Sequence, residues 1–114
     1  MRTPRQKKND ILQGTLALIV LQTLATRGAL HGYAISQHIQ RTSDDLLRVE
    51  EGSLYPALHR MAQDGLIKGR WGITEKNREA LFYTLTTAGR RQLAHEQETW
   101  ARLTEGVGRI LAYT

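Results

Sequence analysis

The segment 51–67, with the sequence EGSLYPALHRMAQDGLI, constrains the fold most, because it carries signals for both ends of a helix. Ser53 can cap the first turn through its hydroxyl. Pro56 follows early enough that its missing N–H would remove no interior hydrogen bond. Gly65, just after the last apolar residue at helical spacing, is typical of a helix end. The segment therefore predicts one helix with defined ends.

The two faces of this predicted helix differ sharply in chemistry. One face is apolar at helical spacing and is expected to enter a core. Its residues are Leu54, Ala57, Leu58 and Met61. The other face is aromatic and basic, which favours a recognition helix that presents side chains to DNA. Its residues are Tyr55, His59, Arg60 and Gln63.

The charge and composition of the chain are compatible with this interpretation. The 114 residues carry a net charge of +5, which favours a polyanionic partner, although many small soluble proteins are equally basic and bind no nucleic acid. The length supports one domain with a modest core, and such domains often gain stability by dimerising. No apolar run is long enough to span a membrane, and no signal peptide is visible. We therefore expect a cytoplasmic protein without a membrane partner.

The N-terminal region divides into an arm and a helix. Residues 1–9 are basic and lack apolar periodicity, so they are predicted to form a flexible arm. A helix is expected over 11–26, capped by Asn9 or Asp10 and ended by Gly28. This helix is apolar on more than one face, so it should be covered by its own domain and by a second subunit. The residues assigned to that dimer contact are Leu16 and Ile19.

The middle of the chain predicts a helix-turn-helix unit followed by a hairpin. A turn at His31 precedes a short helix over 33–40, and a polar connector over 41–48 leads to the recognition helix. The connector is longer than the turn of the simplest helix-turn-helix units. Two β-compatible runs, 66–71 and 81–86, flank a charged loop and predict a β-hairpin, the wing.

A final helix, capped by Thr87, is predicted to lie along a partner helix. Apolar residues recur at seven-residue spacing along it, with Glu96 as the exception. They are Leu93, Trp100, Leu103, Val107 and Ile110. Gly106 and Gly108 either weaken this helix locally or permit close approach of another backbone. The predicted fold class is thus mainly α with a small β-hairpin, a winged helix-turn-helix over 10–86 with a C-terminal dimerisation helix over 87–114.

The sequence resembles the PadR family of bacterial transcription regulators. The resemblance rests on LHGYAI at 30–35, the segment 51–67, Trp71, and FYTLTTAGRRQL at 82–93. The single terminal helix is similar to the short PadR subfamily, and LQGTLALIVLQTL with GSLYPALHR is similar to a branch frequent in acidobacterial genomes. The resemblance implies a homodimeric repressor that binds a pseudo-palindromic DNA operator and releases it on binding a small aromatic effector.

One departure from the family pattern concerns the wing. Family members commonly carry basic residues just before the FYxLT-like strand, where this chain has Glu79 and Leu81. Lys76 and Arg78 remain as wing cations. The departure raises the question of how strongly the wing holds DNA.

The architecture assigns roles to the candidate DNA-binding residues. Ser53, Tyr55 and Pro56 would lie nearest the bases, and His59 and Arg60 would reach bases or backbone. The residues expected to contact phosphates are Tyr33, Gln37, Lys76 and Arg78. The core is an equally good place for the Tyr33 ring, because the residue follows a glycine turn.

Trp100 is the candidate effector-binding residue. It lies in the middle of the seam, where two copies in a symmetric dimer could face each other and stack on a planar ligand. The simpler interpretation is a large interface residue that binds no ligand.

Catalytic and metal sites have little support in the sequence. There is no cysteine, and the histidines at 31, 38, 59 and 95 never occur at the spacing of a helical metal pair. We expect no enzyme activity, no metal and no cofactor. Two other functions stay open: a winged-helix module that binds an acidic protein, and a small-molecule-binding protein without DNA binding.

Overall fold

The structure is a computed structural model that describes residues 15–113. The predicted arm over 1–9 and the predicted helix start at Asn9 or Asp10 lie outside the described residues. The described elements, in chain order, are α1 (Leu16–Arg27), β1 (Leu30–His31), α2 (Gly32–Thr42), α3 (Glu51–Gln63), β2 (Ile67–Ile73), β3 (Glu79–Leu85) and α4 (Thr87–Ala112). This order of helices followed by a hairpin confirms the winged helix-turn-helix, with a long C-terminal helix.

The core lies between α1, α2, α3 and the base of the sheet. Its largest fully buried side chains come from all of these elements and explain why each amphipathic segment folds onto the others. They are Val20, Leu21, Ile35, Leu54, Leu58 and Ile67. Gly28 ends α1 as predicted, with a φ of 81° that favours glycine.

The helix α3, which the sequence predicted as the recognition helix, begins before Ser53, so the predicted cap is wrong. Glu50 is the N-cap residue in an extended conformation, and its carbonyl accepts the N–H groups of Ser53 at 3.0 Å and Leu54 at 2.9 Å. Glu51 lies in the first turn, where a carboxylate is favoured by the helix dipole. Pro56 therefore stands beyond the first turn, and the carbonyl of Gly52 cannot receive the usual i to i−4 bond from it.

The wing is confirmed, and its loop is shorter than predicted. The strands β2 and β3 pair antiparallel from Ile67 opposite Leu85 to Ile73 opposite Glu79, which leaves residues 74–78 as the loop. The N–H of Thr74 donates to the carbonyl of Arg78 at 2.8 Å and closes the hairpin end.

A short third strand joins the sheet, and the sequence did not predict it. In β1, Leu30 pairs with Tyr83 and His31 with Phe82, so β3 is the central strand of the three described strands. His31 was predicted as part of a turn. Its Nδ1 instead accepts the N–H of Ala34 at 3.4 Å and caps α2, which begins at Gly32.

The C-terminal helix α4 is capped by Thr86, one residue before the predicted cap. The Thr86 hydroxyl oxygen accepts the N–H of Gly89 at 2.9 Å and lies 2.6 Å from the carbonyl oxygen of Gly65, to which it can donate. The helix has 26 residues and is about 39 Å long. Beyond Leu93, every described residue of α4 except Glu96 is exposed. Most of α4 therefore projects from the winged helix.

Candidate nucleic-acid interface

The outer face of α3 carries the side chains that the sequence assigned to DNA. The inner face is fixed by Leu54 and Leu58, which are fully buried. This anchoring turns the opposite face to solvent, since the two faces of one helix are rigidly related. The exposed residues among the candidates on α3 are Tyr55, Pro56, His59 and Arg60, and Ser53 is half-buried.

A cleft between α2, α3 and the wing brings together residues that are distant in sequence. It has a volume of about 760 Å³. Five of the predicted DNA-binding residues line it, namely Tyr33, Gln37, Tyr55, Lys76 and Arg78. The cleft thus joins the predicted phosphate contacts of α2 and of the wing to one aromatic residue of the recognition helix.

The structure decides between the two interpretations of Tyr33. Its side chain is 51% exposed and lines the cleft, so the alternative that placed it in the core is wrong. Gln37, one helical turn further along α2, is also exposed and lines the same cleft. Both side chains carry hydrogen-bonding groups of the kind that contact phosphates.

Tyr55 keeps its proton at neutral pH. Partial burial raises the pKa of its phenol above the usual value, and the nearby Glu51 and Tyr83 act in the same direction. The neutral hydroxyl can donate a hydrogen bond to a phosphate oxygen or to an acceptor on a base edge.

The charge of the wing is mixed near its tip. Lys76 and Arg78 are exposed in the loop, but Glu75 and Glu79 line the same cleft. Leu81 pairs with Trp71, whose indole is 68% exposed. The two residues that depart from the family pattern therefore add one acidic and one apolar side chain to a wing that carries two loop cations.

His31 also belongs to this region, although its role there was not predicted from the sequence. The ring of His31 packs edge-on against Phe82, with 5.2 Å between ring centroids, and both rings line the cleft. Their contact depends on the pairing of β1 with β3, which joins segments far apart in the chain. The sequence contains one local signal for the capping role of His31, because this histidine directly precedes the glycine at the start of a predicted helix.

The residues of the predicted dimer seam fall into two groups. Leu16 and Leu93 are each 7% exposed because the chain's own core covers them, and Ile19 is half-buried against that core. The remaining four form a row on the projecting part of α4. They are Trp100, Leu103, Val107 and Ile110, between 44% and 75% exposed.

Trp100 also lines a cleft between α4, α1 and the end of α2. Its volume is about 490 Å³ and its walls are mostly apolar. The apolar side chains are Leu18, Ile19, Ile39, Leu47 and Trp100. Gln97 Nε2 donates to Gln22 Oε1 at 2.7 Å and connects two walls. The contributions of α1 and α2 to this cleft were not predicted from the sequence.

His38 lines the Trp100 cleft and has a perturbed pKa. Burial lowers the pKa of its imidazole, and the positive charges of Arg27 and Arg41 lower it further. The Thr42 hydroxyl lies 3.3 Å from its Nε2. The imidazole is therefore neutral at physiological pH.

Within residues 15–113, no group of three or more histidine, aspartate or glutamate side chains is placed to hold a metal ion. In the same part of the chain, no helix has the length and apolar character needed to cross a membrane.

Comparison with known proteins agrees with this geometry. The model of the transcriptional regulator PadR-like family matches residues 20–95. A transcriptional regulator of Mycobacterium tuberculosis is 31% identical over 83 residues, covering 73% of this chain and 74% of that protein.

Solved structures show the same fold. A transcriptional regulator from Clostridium thermocellum superposes with a TM-score of 0.79 at 28% identity, covering 88% of this chain and 96% of the other. A PadR-like transcriptional regulator from Bacillus cereus gives a TM-score of 0.78 at 26% identity, covering 92% and 99%. The chain belongs to the PadR-like family of transcriptional regulators, which are not enzymes and whose function implies DNA binding.

Proposed function

We propose that the protein is a homodimeric repressor that binds a pseudo-palindromic operator and leaves it when a small aromatic effector binds. The observation that carries the proposal is the exposed apolar row of α4, joined directly to a winged helix with a polar recognition face. A row at seven-residue spacing on a projecting helix is suited to pairing with its own copy.

Base recognition is assigned to α3. Ser53, Tyr55 and Pro56 lie towards its N-terminal end, the end that contacts base edges in helix-turn-helix proteins. Arg60 and His59 follow on the exposed side, and Arg60 has the planar donor pair that matches guanine O6 and N7. These side chains of α3 would determine which DNA sequence the protein binds.

Phosphate contacts are assigned to the two walls of the cleft beside Tyr55. Tyr33 and Gln37 on α2, with Lys76 and Arg78 on the wing, would fix the register of the protein on the duplex. The acidic Glu75 and Glu79 on the same wall reduce the net attraction of the wing for phosphate. More of the binding free energy is therefore assigned to α3 and α2.

Dimerisation is assigned to 87–114, through Trp100, Leu103, Val107 and Ile110. The predicted dimer contacts also include Leu16, Ile19 and Leu93. These residues pack α1 against the first turns of α4 in the core and would hold the seam helix in position. Two recognition helices must lie about 34 Å apart to enter successive major grooves. The angle between the two α4 helices would set this distance.

Effector binding is assigned to Trp100 and its cleft. The indole and the apolar walls suit a planar aromatic molecule, with stacking as the main contact. An effector that binds one dimer geometry more tightly than another shifts the population towards the tighter-binding geometry. The shift in this equilibrium cannot exceed the ratio of the effector's affinities for the two geometries. The segments LQGTLALIVLQTL and GSLYPALHR support membership of the PadR branch that is frequent in acidobacterial genomes.

A selection and footprinting experiment tests the proposal. The wild-type protein is used to select duplexes from a random pool, and the best duplex is footprinted at several salt concentrations. We expect two protected half-sites about one helical turn apart, related by two-fold symmetry, and affinity that falls steeply with salt. A single asymmetric footprint would contradict the dimer, and no selectable duplex would contradict DNA binding.

A further inference from the structure

The ring of Tyr55 occupies the space where a side chain of Gly32 would lie. A β-carbon added to Gly32 would be 2.5 Å from Tyr55 Cε1, 3.0 Å from Cζ and 3.1 Å from the phenolic oxygen. No other residue comes among its three nearest neighbours. The first residue of α2 and the aromatic side chain of α3 are therefore in direct contact, ring against backbone.

The backbone of α2 does not itself require glycine at this position. Gly32 is not among the described glycines with positive φ, which are Gly28 and Gly65. Local backbone geometry thus does not demand glycine at the start of α2, and the space needed by the Tyr55 ring accounts for it.

The phenol of Tyr55 lies between α2, β3 and the cleft. Gly32 lies behind the ring, Tyr83 of β3 is near enough to help raise the Tyr55 pKa, and the exposed part of the ring lines the cleft. The start of α2 is itself fixed, because His31 caps the helix and packs against Phe82. The backbone behind Tyr55 is therefore held by contacts with both the helix and the sheet.

We propose that Gly32 is a positioning residue for DNA recognition, because its missing side chain sets the direction in which the Tyr55 phenol points. This inference rests on the proposed contact of Tyr55 with DNA. Alanine at 32 would push the ring out of its place against α2, and the chain would fold while the hydroxyl moved away from its partner. The ring is the end of a side chain, so it can yield without displacement of the backbone.

A double-mutant cycle tests the proposal on the duplex that the wild-type protein selects. The four proteins are the wild type, Gly32→Ala, Tyr55→Ala and the double variant. We expect Gly32→Ala to weaken binding about tenfold, the effect of one lost charge-assisted hydrogen bond. In the Tyr55→Ala background the same change should have almost no effect, because the ring that it displaces is gone.

Two results would overturn the positioning role. One is unchanged affinity of Gly32→Ala, and the other is an equal loss in both backgrounds, which would mean that alanine acts through α2 alone. NMR titration of Tyr55 in ¹³C-tyrosine-labelled protein gives a measurement that does not depend on DNA. In Gly32→Ala, the raised pKa of the Tyr55 phenol should move towards the ordinary value. Leu46→Ala, at a leucine that is 86% exposed and lies outside α3 and α4, is the control and should change neither the affinity nor the Tyr55 pKa. Failure of the wild type to select any duplex contradicts the proposed function instead.

Discussion

The backbone of Gly89 in α4 lies directly against the carbonyl oxygen of Leu66, with no room for a side chain between them. The same carbonyl accepts the N–H of Thr86 at 3.2 Å. The start of α4 is thereby fixed to the turn that follows α3. In the proposed dimer, a change in the angle of α4 would therefore move α3.

Alanine at position 89 should destabilise the fold. A β-carbon there would collide with the Leu66 backbone, which cannot move as easily as a side chain, so Gly89→Ala should lower the free energy of unfolding by about 2 to 3 kcal/mol. Urea denaturation followed by circular dichroism measures this change. In the monomeric Leu103→Asp background, Gly106→Ala on the same helix, where no residue of the described chain beyond the adjacent helix backbone lies within 4 Å of an added β-carbon, should instead raise stability by up to about 1 kcal/mol. Equal effects of the two substitutions would contradict the contact.

Removal of the wing cation Arg78 should reduce the salt dependence of DNA binding. One true phosphate contact contributes about 0.9 to the slope of log affinity against log salt concentration. Arg78→Gln should therefore lower that slope by about 0.9 in gel shifts on the selected duplex. Arg102→Gln is the matched control, because Arg102 lies on the projecting part of α4 and pairs with Glu98 at 3.7 Å. An unchanged slope in Arg78→Gln would remove the wing from the DNA contact.

A charge in the α4 row should separate the proposed dimer. Leu103→Asp places a carboxylate in an apolar seam, so the variant should be monomeric by light scattering. It should also lose about a hundredfold in affinity for a two-half-site duplex, because the second half-site no longer binds as part of the same assembly. Leu46→Asp, at a leucine that is 86% exposed outside α4, should leave both properties unchanged. Full affinity in a monomeric Leu103→Asp protein would refute the seam.

Trp100 fluorescence should report effector binding. In a Trp71→Phe background, planar probes such as acridine and naphthalene sulfonate should quench the emission saturably if the indole forms part of a binding site. The complementary variant Trp100→Phe keeps Trp71 on the wing, and its emission should show only linear, collisional quenching. Linear quenching in both proteins would leave Trp100 as an interface residue without a ligand.

The stability of the protein should fall at mildly acidic pH, in part through His38. Its folded pKa lies below the ordinary histidine value of 6.5, so the unfolded chain takes up the proton first as the pH falls. The stability contributed by neutral His38 is complete above pH 6.5 and is lost as the pH falls through the folded pKa. The free energy of unfolding is measured at pH 7.5 and 5.5 for the wild type and for His38→Gln. The difference between the two proteins in their pH dependence is the contribution of His38. A pH dependence identical in both proteins would contradict it.

The features predicted correctly from the sequence depend on short stretches of chain. The apolar face of α3, the helix end at Gly28 and the hairpin around residues 74–78 each follow from residues a few positions apart. Side-chain periodicity and turn chemistry act at this range, so a linear sequence displays them. The exposed row of α4 was visible for the same reason.

The features that the sequence did not reveal depend on contacts between distant segments. Two predicted helix caps were wrong. Thr86 rather than Thr87 caps α4, and its hydroxyl also contacts the distant Gly65 carbonyl, whereas Glu50 rather than Ser53 is the N-cap residue of α3. The strand β1 exists only through its pairing with β3.

By itself, the sequence determined which surfaces are apolar and which are polar, because those properties belong to each residue and to its spacing. Only the tertiary structure decided which apolar surfaces the chain covers for itself. It buried Leu16 and Leu93 and left Leu103 exposed, and it placed Tyr55 against Gly32 beside the wing. Burial and close approach depend on where other segments pack, and that is a property of the folded chain alone.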